Sequence, residues 1–338
     1  MPQHRLPYNF QLENGETLQG ASLNYEVLGE ISDGKEVVWV CHAFTGSATV
    51  KDWWSSLFLE NGGFIDLNQH ILICANLLGS CYGSTGPDTI NPETGESYGG
   101  DFPSITNKDA VRAFIELRKE LKISKIHYLI GGSLGGQQAL EWSILEPEII
   151  ENQILVASNA RHSAWGIAFN ELQRQAIELG VNGTEIDKQK ALSLARSIAM
   201  LSYRSYADFE SSQNGKAANG DWKVSSYLKY QGKKFNGRFS NNSYRILSQM
   251  MDAHNIAEGR GDNLKEVLAS IKTRTLCIGI DSDNLFPLAE QKFISDYIPC
   301  AQLEVIKSSK GHDAFLIEGN LISKFIKKHL SNTLYEEL

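Results

Sequence analysis

The sequence has few cysteines: 5 among 338 residues, an odd number, and no two of them have the Cys-x-x-Cys spacing. This pattern excludes a disulfide framework and offers neither a zinc-binding nor a redox motif. Cys41, Cys74 and Cys277 lie in apolar runs, so we predict that they are buried as small hydrophobic side chains. We therefore expect no metal site, and a protein that works in the reducing cytoplasm.

Long hydrophobic runs are lacking as well. No apolar run approaches the ~20 residues that a membrane span needs. Residues 1–18 contain no apolar core of a secretion signal. The sequence therefore predicts a soluble protein without a membrane partner.

Positive charge is scarce, since 32 Lys+Arg face 40 Asp+Glu and the formal net charge is −8. Nucleic-acid partners need clustered positive charge, so we expect none. The basic cluster that does occur consists of Lys229, Lys233, Lys234 and Arg238. A solvated helix or loop face is the favoured interpretation, and contact with the phosphates of an anionic cofactor is the alternative.

Short apolar runs alternate with longer segments of helical periodicity. Runs this apolar are typical of strands buried on both faces, which predicts an α/β fold with a mostly parallel sheet flanked by helices. Alternation over residues 17–29 predicts an added antiparallel edge. The predicted strands cover 37–41, 71–75, 127–130, 154–157, 275–280 and 303–306, and the predicted helices lie near 108–121, 135–145, 288–297 and 321–330.

Between residues 157 and 275 the β-rich runs stop, and the chain reads as amphipathic helices with many aromatic residues. We predict a helical lid over 160–262, inserted into a core domain formed by 1–159 and 263–338. Such a lid would cover the ligand crevice of a parallel sheet; ordinary crossover helices are the alternative. The glycine- and proline-rich segment 79–103 is either a functional loop or an exposed cluster of turns.

The strongest chemical signal is the segment Gly131-Gly132-Ser133-Leu134-Gly135. It has the pattern G-x-S-x-G and lies between a predicted strand and a predicted helix, as a nucleophile elbow requires. Small residues on either side let strand and helix pass closely, while the helix N-terminus supplies N–H groups near the serine oxygen. Ser133 is therefore the predicted nucleophile.

A serine nucleophile needs a base and an orienting acid, in the chain order Ser, acid, His. His312 lies in a glycine-containing loop after the strand 303–306 and is the predicted base. His254 lies inside the insertion and His162 at its start. His329, near the end of the last predicted helix, is predicted to be a surface residue.

The acid should follow the strand 275–280, where Asp281 and Asp283 both qualify. Spacing leaves both open, and Asp283 is favoured because it lies further out on the loop. For the oxyanion hole, we predict the amides of Leu134 and of Phe44, in the loop after strand 37–41. His42 is predicted to hold that loop by hydrogen bonds.

Beyond the elbow, several segments resemble homoserine O-acetyltransferases, over nearly the whole chain. They are 131–142, 42–47, 86–95, 168–171, 227–232 and 311–315. The resemblance implies an α/β-hydrolase core with a helical lid, and a homodimer built through the lid helices. It also implies an acyl-CoA, acetyl-CoA above all, as co-substrate and no tightly bound cofactor.

Residue by residue, the resemblance places the nucleophile on Ser133, the acid on Asp283 and the base on His312. It places the substrate-binding residues on Arg204 and Asp313. A cation and an anion suit the carboxylate and the ammonium of a free amino acid; on the residues alone, Arg204 reads as a salt bridge within the lid.

The implied activity is transfer of an acetyl group from acetyl-CoA to the hydroxyl of L-homoserine through an acyl-serine intermediate, with ping-pong kinetics. This would be the first committed step of methionine biosynthesis. The alternatives are homoserine O-succinyltransferase or serine O-acyltransferase activity, an esterase or thioesterase with the same three residues, and a non-catalytic binding protein of this fold.

Overall fold

A computed structural model describes residues 1–32 and 34–331 of the chain. The strands are β1 (Gln3–Arg5), β2 (Asn9–Gln11), β3 (Thr17–Gln19), β4 (Ser22–Leu28), β5 (Glu36–Cys41), β6 (His70–Ala75), β7 (Ile126–Gly132), β8 (Ile150–Val156), β9 (Arg274–Ile280) and β10 (Ala301–Ile306). The helices are α1 (Val50–Trp54), α2 (Asn107–Glu120), α3 (Leu134–Leu145), α4 (Ala164–Glu178), α5 (Glu185–Tyr203), α6 (Tyr206–Gln213), α7 (Lys223–Asn236), α8 (Asn241–Asp252), α9 (Leu264–Ser270), α10 (Leu288–Tyr297), α11 (Ala314–Ile317) and α12 (Gly319–Ser331).

The main sheet has the strand order β1-β4-β6-β5-β7-β8-β9-β10. The strands from β6 to β10 in that order pair in parallel, whereas β4 is antiparallel to β6 and to β1. The predicted parallel sheet is confirmed, because each of the six predicted strands overlaps one of these strands. The alternating segment 17–29 divides: β4 forms the antiparallel edge, and β3 pairs with β2 in a separate small sheet.

Strand β8 begins at Ile150, four residues before the predicted start. Its first half carries polar side chains, which hid it from a search for apolar runs. Two of those side chains are buried because they find partners: Gln153 donates to the Thr275 hydroxyl at 2.7 Å, and Asn152 donates to the His127 carbonyl at 3.0 Å. Hydrogen bonds thus replace hydrophobic contact in this part of the sheet.

Apolar side chains pack on both faces of the sheet. On one face Trp39 of β5 meets Trp142 of α3 edge to face, with ring centroids 4.9 Å apart. The cysteines at positions 41, 74 and 277 are buried, as predicted. His329 is buried too, so its prediction as a surface residue is wrong. Its face of α12 packs against the sheet, and its Nδ1 lies 2.9 Å from Gln302 Oε1.

Helices α4 to α8, which we call the inserted helices, lie between β8 and β9. They contact the rest of the chain through apolar and polar groups. Tyr244 meets Phe44 edge to face, with ring centroids 4.6 Å apart. Arg245 donates to the Gly100 carbonyl at 2.6 Å, and the Ser205 hydroxyl donates to the Ser309 carbonyl. The division into a lid over 160–262 and a core on either side stays a prediction. Within the described part of the chain, no helix combines the length and the apolar character that crossing a membrane requires.

Candidate active site

Ser133 occupies the sharp turn between β7 and α3, with φ 57° and ψ −125°. A serine rarely adopts a positive φ, and strain of this kind concentrates at functional sites. The turn needs glycine beside it: a Cβ on Gly131 would lie 2.0 Å from the Gly135 carbonyl oxygen, and a Cβ on Gly135 would lie 2.0 Å from the Cys41 oxygen. The elbow geometry predicted from the sequence is therefore present.

Three side chains from separate loops form one hydrogen-bonded chain. The Nε2 of His312 lies 2.9 Å from Ser133 Oγ, and its Nδ1 lies 2.6 Å from Asp283 Oδ2. All three residues are buried. The other carboxylate oxygen of Asp283 accepts the backbone N–H groups of Leu285 and Phe286, at 2.8 and 2.9 Å. These bonds fix the carboxylate before any substrate binds.

The structure places Asp283, and not Asp281, against the histidine. Asp281 is exposed, and its Oδ1 accepts the backbone N–H of Ser308 at 3.1 Å. Asp281 therefore ties the loop after β9 to the loop after β10. The two carboxylates that spacing left open thus have different surroundings.

Leu134 and Phe44, the predicted oxyanion-hole residues, lie on segments that a buried glutamine joins. The Gln138 amide donates to the carbonyls of Leu134 and His42, at 3.1 and 3.2 Å. The His42 ring accepts the Leu77 N–H at its Nε2 (3.1 Å), and its Nδ1 lies 2.9 Å from the Ala43 oxygen. The ring thus holds its loop by hydrogen bonds, and burial lowers the pKa of His42 to about 4.

Arg204 and Asp313, the predicted substrate-binding pair, lie near each other, with Nη1 3.6 Å from Oδ2. The Arg204 guanidinium also forms an ion pair with Asp208, which in turn accepts from Lys310 at 2.7 Å. Asp313 lines the cavity described next, and burial raises the pKa of its carboxyl group. Arg204 is not among the residues that line it.

A cavity of about 660 Å³ opens above Ser133. Its wall combines core residues such as Phe44 and His312 with Arg196 and Tyr203 of the inserted helices. This volume is in the range of small-molecule sites.

The cavity also involves the long loop and the basic cluster. Tyr82, from the segment 79–103, lines it, and the Tyr82 hydroxyl accepts from Arg238 Nη1 at 2.8 Å. Arg238 also lines it and donates to the Thr45 carbonyl at 2.7 Å. The lysines at 229, 233 and 234 are exposed, which agrees with a solvated face.

Sequence reasoning missed several side chains of the site. Ser158, two residues after the end of β8, donates its hydroxyl to the Ser133 carbonyl at 2.8 Å. Phe286 stacks on the His312 ring, and Tyr203 lies on another side of that ring, with centroids 6.0 Å apart. Their positions at element ends were the available signal, and none of the three has a distinctive motif.

A line of buried amides runs behind the site from α2 to α10. Asn107 donates to Gln137 at 3.2 Å, Gln137 to Asn159 at 2.8 Å, and Asn159 to the Glu290 carboxylate at 3.0 Å. Burial, together with the nearby Asp283 carboxylate, raises the pKa of Glu290 to about 7. Glu290 is thus a second carboxyl group behind the proposed acid.

The chain is similar in sequence to known proteins. Residues 36–318 match the family profile of the alpha/beta hydrolase fold. The homoserine O-acetyltransferase of Cyclobacterium marinum is 45% identical over 322 residues, which cover 94% of this chain and 91% of that protein. The expected fold class is therefore confirmed.

Solved structures also share this fold. The crystal structure of homoserine O-acetyltransferase from Staphylococcus aureus has a TM-score of 0.81 at 30% identity, over 96% of this chain and 94% of that one. The crystal structure of esterase E22 has a TM-score of 0.86 at 22% identity, over 97% and 99% of the two chains. At that identity the esterase shows a shared fold alone.

Proposed function

The chain belongs to the homoserine O-acetyltransferase family, and on that premise we propose that it transfers an acetyl group from acetyl-CoA to the hydroxyl of L-homoserine. In a cell this reaction would be the first committed step of methionine biosynthesis. The observation that carries the proposal is the continuous chain of short contacts from Ser133 through His312 to Asp283 beneath one cavity.

In the first half-reaction, Ser133 Oγ attacks the thioester carbonyl carbon of acetyl-CoA. His312 Nε2, 2.9 Å away, takes the serine proton and then gives it to the departing sulfur as the C–S bond breaks. Asp283 holds the Nδ1–H tautomer of His312 and stabilises the imidazolium that forms. CoA leaves as a thiol, and an acetyl ester remains on Ser133.

The tetrahedral intermediate carries a negative oxygen, which needs preorganised N–H donors. The backbone amides of Leu134 and Phe44 are the proposed donors. The Gln138 side chain bonds to the carbonyls of Leu134 and His42, which ties the start of α3 to the loop that carries Phe44. A fixed pair of donors stabilises the oxyanion without reorganisation during the reaction.

In the second half-reaction, the homoserine hydroxyl gives its proton to His312 and attacks the acetyl ester. Ser133 recovers that proton as the ester bond breaks, and O-acetylhomoserine leaves. We propose that Asp313 meets the ammonium group of homoserine and that Arg204 meets its carboxylate. Water would compete as the acceptor, and the inserted helices over the cavity reduce its access.

We propose acetyl-CoA as a co-substrate, a cytoplasmic location and a homodimer built through the inserted helices. Large apolar side chains exposed on these helices support the dimer, because exposed apolar patches mark interaction surfaces. They include Trp165, Leu172, Leu194, Leu201, Tyr206 and Tyr230. Light scattering of the purified protein tests this directly, and a monomer at working concentration would contradict it.

The test of the activity measures CoA release from acetyl-CoA with and without homoserine, together with the intact mass of the protein. We expect one acetyl group on the wild-type protein, none on Ser133→Ala, and CoA release that accelerates strongly when homoserine is added. L-serine as acceptor and succinyl-CoA as donor provide matched alternatives. Equal CoA release with and without homoserine would identify a hydrolase and contradict the proposal.

A further inference from the structure

Arg196 is a charged residue without a charged partner in the wall of the cavity. It lies on α5, and its guanidinium packs over the rings of Tyr203 and Phe235, 5.4 and 4.8 Å from their centroids. Its Nε and Nη1 atoms are fully buried and have no hydrogen-bond partner among the described residues. A buried guanidinium in this state is unfavourable unless a ligand supplies hydrogen-bond acceptors and a compensating negative charge.

The other arginines near the cavity already have partners. Arg204 forms an ion pair with Asp208, so much of its charge is compensated within the protein. Arg238 is exposed and donates to two neutral oxygens, the Thr45 carbonyl and the Tyr82 hydroxyl. Only the Arg196 guanidinium, among these three, lines the cavity with buried donors left unused.

A carboxylate lies in the same cavity wall. Asp313 follows the proposed base, and His312, Arg196 and Arg204 each oppose the rise in the pKa of Asp313 that burial causes. Arg196 and Asp313 therefore act on each other electrostatically, although no ion pair joins them within 4.0 Å among the described residues. The unpaired Arg196 cation in this wall suits a ligand that carries a carboxylate.

We propose that Arg196 binds a substrate carboxylate in this cavity, an inference that rests on the proposed function and adds a specificity residue to it. Guanidinium groups bind carboxylates through two parallel hydrogen bonds from one edge, and the Nε of Arg196, which belongs to such an edge, has no acceptor among the described residues. The carboxylate has two possible sources: the α-carboxylate of the acceptor amino acid, which Arg196 would then share with Arg204, or the terminal carboxylate of a dicarboxylic acyl donor.

Arg196→Met removes the charge and keeps an unbranched apolar chain between Tyr203 and Phe235. For the acceptor, the deacylation rate of preformed acetyl-enzyme is measured with homoserine and with 3-amino-1-propanol, which lacks only the carboxylate. If the acceptor is the source, the preference for homoserine falls about 10- to 100-fold in the variant. Arg196→Lys should restore part of it.

For the donor, the rate of CoA release is compared between succinyl-CoA and acetyl-CoA. If the donor is the source, the succinyl-to-acetyl ratio falls by a similar factor in Arg196→Met, and the acceptor preference stays. Acylation by acetyl-CoA, which has no carboxylate near the reacting carbon, is the internal control. Arg112→Met is the matched variant, because Arg112 also packs over an aromatic ring, that of Phe10, and does not line the cavity; it should leave both ratios within a few-fold of wild type.

A binding measurement separates this inference from the proposed function. Homoserine or succinate should raise the melting temperature of the wild type more than that of Arg196→Met, and 3-amino-1-propanol should not distinguish them. A wild type that forms no acetyl-enzyme contradicts the proposed function and leaves this measurement valid. The inference is overturned if folded Arg196→Met keeps both kinetic ratios and the ligand-induced shifts, or if Arg112→Met changes them equally.

Discussion

The imidazole of His312 lies face to face with the ring of Phe286, with centroids 5.0 Å apart and an angle of 18° between the planes. The same Phe286 donates its backbone N–H to Asp283 at 2.9 Å. One short turn after β9 therefore fixes the carboxylate and also supports the ring that the carboxylate orients. The tautomer and the direction of the histidine are set together.

This arrangement predicts different outcomes at two neighbouring carboxylates. Asp283→Asn should lower kcat by about 10⁴-fold, because an amide no longer favours the required histidine tautomer. Asp281→Asn should leave kcat within about ten-fold, since the Asp281 carboxylate accepts the backbone N–H of Ser308 and the asparagine side chain keeps an oxygen for this bond. Steady-state kinetics with acetyl-CoA and homoserine check both, and a larger loss at Asp281 would contradict the assignment.

His42 predicts a loss of stability in acid. Burial lowers its pKa to about 4 from the ordinary 6.5, so the unfolded state binds a proton more readily. The free energy of unfolding should therefore fall as the pH drops from 6.5 towards 4, by roughly 1–3 kcal/mol from this residue.

Urea unfolding curves at pH 7 and pH 5 measure this dependence. His42→Gln keeps an acceptor for the Leu77 N–H and a donor for the Ala43 carbonyl. Because the amide does not titrate, this variant should show a weaker pH dependence of the free energy of unfolding. Other histidines whose pKa values burial lowers contribute to the remaining slope, among them His162, His254 and His329. An unchanged slope in the variant would argue against a buried neutral ring.

For Glu290 we expect the opposite pH dependence of stability. Its pKa is raised to about 7, so the folded state holds the proton and its contribution to stability is lost as the pH rises from 4.5 to about 7. Glu290→Gln should raise the free energy of unfolding by roughly 1–3 kcal/mol at pH 8, with a smaller difference at pH 5. Exposed Glu178→Gln is the control, and a gain that is equal at both pH values would contradict this origin.

The elbow glycines predict a sharp steric effect. Gly135→Ala would place a Cβ 2.0 Å from the Cys41 carbonyl oxygen and should destabilise the fold by about 3 kcal/mol or more. At exposed Gly100 no atom lies within 4 Å of such a Cβ, so Gly100→Ala should change stability by less than about 1 kcal/mol. Thermal unfolding of the two variants gives the comparison, and similar melting temperatures would contradict it.

Much of the site was predictable because its chemistry depends on local pattern. The elbow at Ser133 lies in a strand–turn–helix sequence, and His312 follows a readable strand. The sequence could not separate Asp281 from Asp283 without the family resemblance, because the choice depends on how two loops meet. It could not reveal the state of Arg196 either, since an unpaired guanidinium is defined by what is absent around it in space.

The fold was predictable where burial is apolar and was missed where it is polar. The strands β5, β6 and β9 read directly as apolar runs. The first half of β8 and the burial of His329 depend on hydrogen bonds to distant residues, such as the contact between His329 and Gln302. The pattern of residues along the chain does not show which distant residues become hydrogen-bond partners.

The inserted helices divide the proposed nucleophile from its base along the chain. A ribosome that has completed the strands up to β8 has already made Ser133, but more than a hundred residues must follow before Asp283 and His312 exist. Because translation proceeds from the N-terminus, a partly synthesised chain has an elbow without a proton acceptor. Under the proposed mechanism, thioester cleavage therefore requires that nearly the whole polypeptide has been made.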